Sequence, residues 1–309
     1  MGIKHGLFSW FKAKNEKGEE MNLGYVLDEE PKTEEDLKKL FQAFGLESKF
    51  ELFKPLIRSK IDIDLFPETE GNIGVGQSKI GGRPDLPLEC AWPKTDAGKS
   101  LAFVAQLNCE QTSTYDKESL LPKQGIISFF YCADQAAWGF DPKDKDRFKV
   151  IYTEDLSKLK RIEFPDDLEE YVRYSPNSVK FDKSLSLPGW EHDCIDEILT
   201  DPEIDSYMEL SRGSENQVFG YADCIQRPME LECQLVTNGL FCGDATGYED
   251  PKRKELEAGS KDWTLLFQLD TEEEKAEMMW GDGGKLYFWI RKEDLKAKNF
   301  DKSWLVLQC

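Results

Sequence analysis

Short motifs from the first half of this chain return, in the same order, in its second half, and this pattern constrains the fold more than any other. Gly82-Arg83-Pro84-Asp85 is echoed by Gly220-Tyr221-Ala222-Asp223, an offset of 138. Leu88-Glu89-Cys90 is echoed by Leu231-Glu232-Cys233, an offset of 143. Leu101 to Asn108 returns as Trp263 to Asp270 (offset 162), Gly125 to Tyr131 as Gly284 to Ile290 (159), and Phe148 to Tyr152 as Trp304 to Gln308 (156). The offsets drift only where loops belong, so the pattern predicts an ancestral duplication.

Each half reads as a glycine turn, a strand bearing one glutamine (Gln106 or Gln268), a glycine-started aromatic strand and a closing strand. Pro and Gly between apolar runs, with few long helical patterns, favour antiparallel pairing. A helix is expected near the N-terminus. Thr33 and Asp36 form a capping box, and Leu37, Leu40, Phe41 and Phe44 fall on one face before Gly45. Ile61, Ile63 and Leu65 alternate with aspartates as a half-buried strand does.

The predicted fold class is therefore α+β and mainly antiparallel β. It has two duplicated halves related by pseudo-twofold symmetry, an N-terminal helix and short peripheral helices. Residues 1–21 read as a flexible tail, and residues 22–309 as one domain. Within it, half one covers about 72–152, a charged helical connector 153–212, and half two 213–309. The connector holds two candidate helices, Asp193 to Leu199 and Glu203 to Leu210. Thr271 to Glu274 reads as a second capping box, and Arg291 to Lys298 as a short helix with Leu295 inward. Residues 141–150 and 249–262 read as exposed loops.

Several strings together resemble the YwqG-like family of uncharacterised bacterial proteins. They are Ser78 to Pro87, Ala91-Trp92-Pro93, Phe103 to Asn108, Leu120 to Phe130, Phe219-Gly220-Tyr221 and Gly283 to Ile290. The likeness covers roughly residues 22 to 309. It implies a cytoplasmic α+β protein with duplicated halves and an immunity-type binding role, and it brings no catalytic residues.

Charge narrows the partners. The 60 acidic and 40 basic residues leave a net charge of −20, a surface that repels nucleic-acid phosphates. No apolar run approaches the roughly 18 to 20 residues that span a bilayer, so no transmembrane segment is expected. Met1 to Phe11 lacks the long apolar core and cleavage site of a secretory signal. The eight cysteines include no C-x-x-C pair, which disfavours zinc ribbons and fits reduced thiols in a cytoplasm.

Familiar chemical motifs fail one by one. Gly71 to Gly82 is glycine-rich, but Gln77-Ser78 stands where a Walker lysine is required, and Lys79 replaces the third glycine of a dinucleotide loop. The only histidines are His5 and His192. His192 opens a short helix, where its neighbours in sequence cannot supply a converging triad. Asp141 to Asp146 alternates acids but lacks the glycine and terminal glutamate of a calcium loop. No cofactor and no metal site are expected.

What remains is a set of ligand-or-partner candidates: Arg83, Asp85, Gln106, Asp223 and Gln268. A glutamine inside an apolar strand must find several hydrogen-bond partners. Its first role is to tie neighbouring turns; its second is to contact a ligand across a cleft between the halves. Arg83 faces Tyr221 in the repeat, which marks it for a specific contact unless Asp85 holds it locally. The expected function is a non-catalytic, cytoplasmic, protein-binding one, an acidic inhibitor or immunity-type protein with a basic partner. The competing expectation is an enzyme or small-ligand protein using the cleft.

Overall fold

A computed structural model describes residues 12–14, 20–22, 30–211 and 215–309. In chain order its strands are β1 (Lys12–Lys14), β2 (Glu20–Asn22), β3 (Arg58–Pro67), β4 (Lys79–Ile80), β5 (Asp85–Pro87), β6 (Leu101–Asn108), β7 (Ile126–Cys132), β8 (Phe148–Thr153), β9 (Leu159–Arg161), β10 (Asn177–Ser186), β11 (Gln217–Phe219), β12 (Trp263–Asp270), β13 (Lys285–Arg291) and β14 (Trp304–Gln308). Of the segment expected as a tail, β1 pairs with β2; the rest lies outside the described residues. The chain divides into two compact units, residues 1–58 with 184–212 and residues 59–183 with 213–309.

Besides the β1–β2 pair, the first unit is mainly helical. The helix Glu34–Ala43 begins with the expected capping box, Thr33 accepting from Asp36 N while Asp36 accepts from Thr33 N. Gly45 follows its C-terminus at φ +75°, the left-handed conformation in which glycine carries no steric cost. Leu37 and Phe41 are buried on one face with Phe50, Phe53, Ile195 and Tyr207. Each such burial contributes about 1.5–3 kcal/mol. The two helices expected in the connector form at Asp193–Asp196 and Asp201–Leu210, the second again capped by a Thr–Glu box.

A ten-stranded sheet dominates the second unit, in the order β14-β13-β12-β11-β3-β10-β4-β6-β7-β8. The mainly antiparallel prediction holds: every register resolved in it is antiparallel. The sheet curls until its flanks pack on each other. Phe129 of β7 meets Phe267 of β12 at 4.8 Å and Phe288 of β13 at 4.9 Å between ring centroids.

The outer strands come together as well. Phe148 of β8 lies 5.5 Å from Trp304 of β14, and Lys145 Nζ donates to the carbonyls of Asp301 and Ser303. Leu307 N of β14 donates to Trp138 O. These contacts nearly close the sheet into a barrel and cover edges that would otherwise invite pairing.

Several expectations require correction. Leu231-Glu232-Cys233 lies in the helix Glu230–Val236, whereas Leu88 to Cys90 form a turn with Leu88 largely exposed, so this motif pair is not structurally equivalent. Thr271 does not cap a helix: its hydroxyl donates to Gly284 O and accepts from Trp280 N, a tertiary use that overrides the local motif. The connector is not only helical, because β9 and β10 lie within it and β10 sits mid-sheet. Phe148 and Val150 are buried strand residues rather than loop. Part of 249–262 is helical, at Arg253–Leu256 and Glu257–Asp262.

Candidate functional site

The strand carrying Gln106 is built like the strand carrying Gln268. β6 bulges between Phe103 and Ala105 and β12 between Leu265 and Phe267. Just past each bulge stands the glutamine, fully buried, where an unpaired amide would cost roughly 1–3 kcal/mol per lost partner. Each finds its partners in the preceding turn. Asp85 N donates to Gln106 Oε1 at 2.9 Å, and Asp223 N donates to Gln268 Oε1 at 2.9 Å. On the other side Gln106 Nε2 donates to Gln77 O, and Gln268 Nε2 to Glu215 O.

The turns match in conformation too. Gly81 and Gly82 have φ of +68° and +70°; Phe219 and Gly220 have +62° and +71°. A Cβ on Gly81 would sit 2.2 Å from Ser175 O, so glycine is required there for space as well as for φ. Lys79, paired with Gln106, donates to the carbonyl of Arg83, while Gln217, paired with Gln268, donates to that of Tyr221.

The charges around the two turns differ. Asp85 is fully buried and takes four donors: Gly76 N (2.9 Å), Gln106 Nε2 (2.7 Å), Arg161 Nε (2.7 Å) and Arg161 Nη2 (3.3 Å). Arg161 is itself seated on the carbonyls of Glu70 and Ile73. Lys79, also fully buried, pairs with Glu70 at 2.9 Å. Burial pushes the Asp85 carboxyl up, but the Arg161 hydrogen bond, the Lys79 charge, Gln106 and Gly76 N–H outweigh it and hold it below the ordinary aspartate value. Burial is also the largest influence on Lys79, and it brings that ammonium below the usual lysine range.

Asp223 is more open, its side chain 32% exposed. Lys285 pairs with it and with Asp270, the latter at 2.9 Å. Burial would lower the Lys285 pKa, but Asp223 and Asp270 outweigh it and raise it. Tyr287 OH donates to Asp223 O at 2.6 Å.

Arg83, Asp85 and Gln106 are thus brought to one turn, and Asp223 and Gln268 to another. Arg83 is not held by Asp85: its guanidinium pairs with Glu163 and its N–H donates to Glu70. Nor do the two glutamines face each other. Phe129 and Phe267 meet in the interior. Side chains alternate along a strand, so Ser128, paired with Gln106, and Gln268 itself point to the opposite faces of their flanks.

Lys79, Glu70 and Arg161 at the first turn, and Lys285 and Asp270 at the second, are charged residues that sequence reasoning missed. The signal for Lys79 was present, since Ser78-Lys79-Ile80 and Asn216-Gln217-Val218 share the 138 offset of the turns. Arg161 sits in the segment read as connector and carried no comparable signal.

The chain belongs to the family whose model matches residues 78–309, a domain of unknown function (DUF1963). A comparison with curated proteins gave no match. Among the described residues, no helix is long and apolar enough to cross a membrane.

Proposed function

We propose that this protein is a non-catalytic binding protein that engages a basic protein partner, as an acidic inhibitor or immunity-type protein does. The net charge of −20 carries the reading, because such a surface speeds encounter with a cationic partner and rejects anionic ones. The internal use of Asp85 and Gln106 supports it. Both make hydrogen bonds to their own chain through every polar side-chain atom, as framework residues do. The resemblance to the YwqG-like family points the same way and suggests a cytoplasmic setting, with which the lack of any disulfide among the eight described cysteines agrees.

We also infer that residues 72–152 and 213–309 descend from one duplicated unit. The shared bulges, the paired left-handed turns and the two Gln-to-Asp hydrogen bonds support that kinship. So does the strand order, which reads from either end as closing strand, aromatic strand, glutamine strand and short strand.

Affinity purification with mass spectrometry at roughly 50 mM and 300 mM salt tests the binding role, since screening lengths fall across that range. A basic partner enriched at low salt and depleted at high salt is expected. Recovery of the protein alone at both concentrations, from every cellular background tried, would contradict the proposal.

A further inference from the structure

The two turns present the same backbone and a different carboxylate environment, and the difference has a direction. Asp85 N and Asp223 N each donate to the strand glutamine at 2.9 Å, and each turn is left-handed at its two preceding positions. In half one a guanidinium supplied by the chain itself, Arg161, closes on the aspartate with Nε and Nη2. That two-pronged fit is the geometry in which arginine surpasses lysine. In half two, among the described residues, Asp223 takes one side-chain donor, Lys285 on Oδ2, and no donor reaches Oδ1. Among the described residues, two carboxylates, Asp223 and Asp270, share that one ammonium, which leaves a surplus negative charge between them. Ile225, two residues along, is 41% exposed and offers an apolar rim for a long side-chain stem. The nearest cation on the same loop, Arg227, is engaged by Glu232 and lies over the Tyr248 ring.

We propose that Asp223, with Asp270 beside it, receives the guanidinium of an arginine on the basic protein partner, as Asp85 receives Arg161 within the chain. The inference rests on the basic-partner reading and on the kinship of the two halves, and it names the contact that the partner makes.

The test measures fluorescence anisotropy of labelled tetra-arginine and tetra-lysine peptides on the full chain at low salt. Three proteins are compared: wild type, Asp223→Asn and Asp166→Asn. Asp166 is exposed and its change alters net charge equally. One charge-assisted contact is worth about tenfold in affinity. Asp223→Asn is expected to weaken tetra-arginine about tenfold, Asp166→Asn less than about twofold, and tetra-lysine to bind wild type more weakly than tetra-arginine.

Equal affinities for the two variants, or equal binding of the two peptides, would overturn the assignment of Asp223 while leaving an acidic binding protein standing. No binding of either peptide to wild type would overturn both. If Asp223→Asn fails to fold by circular dichroism, amide shifts of wild type on adding N-acetyl-arginine amide replace it. Shifts at 223–226 and 268–270 support the site, and shifts confined elsewhere refute it.

Discussion

Replacing Asp85 by Asn exchanges one oxygen for an amide group, yet the surroundings make that exchange costly. Gly76 N, Gln106 Nε2 and Arg161 Nη2 all donate to Oδ2, while Arg161 Nε donates to Oδ1. An asparagine that keeps its oxygen toward the first three donors must point its NH2 at Arg161 Nε, donor against donor. The opposite rotamer sets three donors against it. Either way Arg161 and the fully buried Lys79 are left with Glu70 as their remaining carboxylate here.

Breaking a buried ion pair by removing one partner costs about 3–5 kcal/mol, so Asp85→Asn should lower the urea unfolding free energy by about that amount. Asp223→Asn removes a pair whose carboxylate is a third exposed and should cost no more than about 1 kcal/mol. Equilibrium urea unfolding followed by circular dichroism measures both, with an unchanged m-value as the check that only stability moved. A loss below about 1 kcal/mol for Asp85→Asn would refute the reasoning that its burial and saturation are what hold the turn.

Three further outcomes follow from the same contacts. Because the folded-state pKa of Asp85 lies below its unfolded value, its contribution is present above that unfolded value, about 3.9, and is lost as pH falls through the folded one. Wild type should therefore lose stability in acid more steeply than Asp85→Asn, and parallel profiles below about pH 4 would contradict this. Gly81→Ala should cost at least about 2 kcal/mol, since its φ is +68° and the new Cβ would collide with Ser175 O. Gly71→Ala, with nothing within 4 Å of its Cβ, should stay within about 0.5 kcal/mol of wild type in the same assay. Thiol labelling under native conditions should proceed in two phases. Half-buried Cys90, Cys194, Cys224 and Cys309 should react first, and Cys109, Cys132, Cys233 and Cys242 only as the chain unfolds. Burial pushes the Cys109 thiol up to about 12, and early labelling of that residue would count against the packing.

Much of the architecture was legible because apolar periodicity and local capping are written in adjacent residues. Leu37 and Phe41 report a helix face, and Ile61, Ile63 and Leu65 report a strand, without knowledge of any distant neighbour. β10 was not legible. Asn177–Ser186 carries Lys180, Asp182 and Lys183 among its apolar residues, so the charge of the segment masked a strand whose hydrogen bonds are made mid-sheet. Leu231-Glu232-Cys233 misled for the opposite reason, since three matching letters carry no period and the helix Glu230–Val236 is decided by packing. At the site, the glutamines stood out because a polar residue in an apolar strand demands partners. Arg161 reaches Asp85 from 76 positions away in the chain, and no local pattern encodes that meeting.

Equal framework roles for Gln106 and Gln268 are the claim on which the rest depends, and side-by-side urea unfolding of Gln106→Leu and Gln268→Leu tests it most directly. Each leucine strands the aspartate N–H and a backbone carbonyl that its glutamine now satisfies, so each should lower stability by about 2–4 kcal/mol. A wild-type unfolding midpoint for either variant would contradict the account.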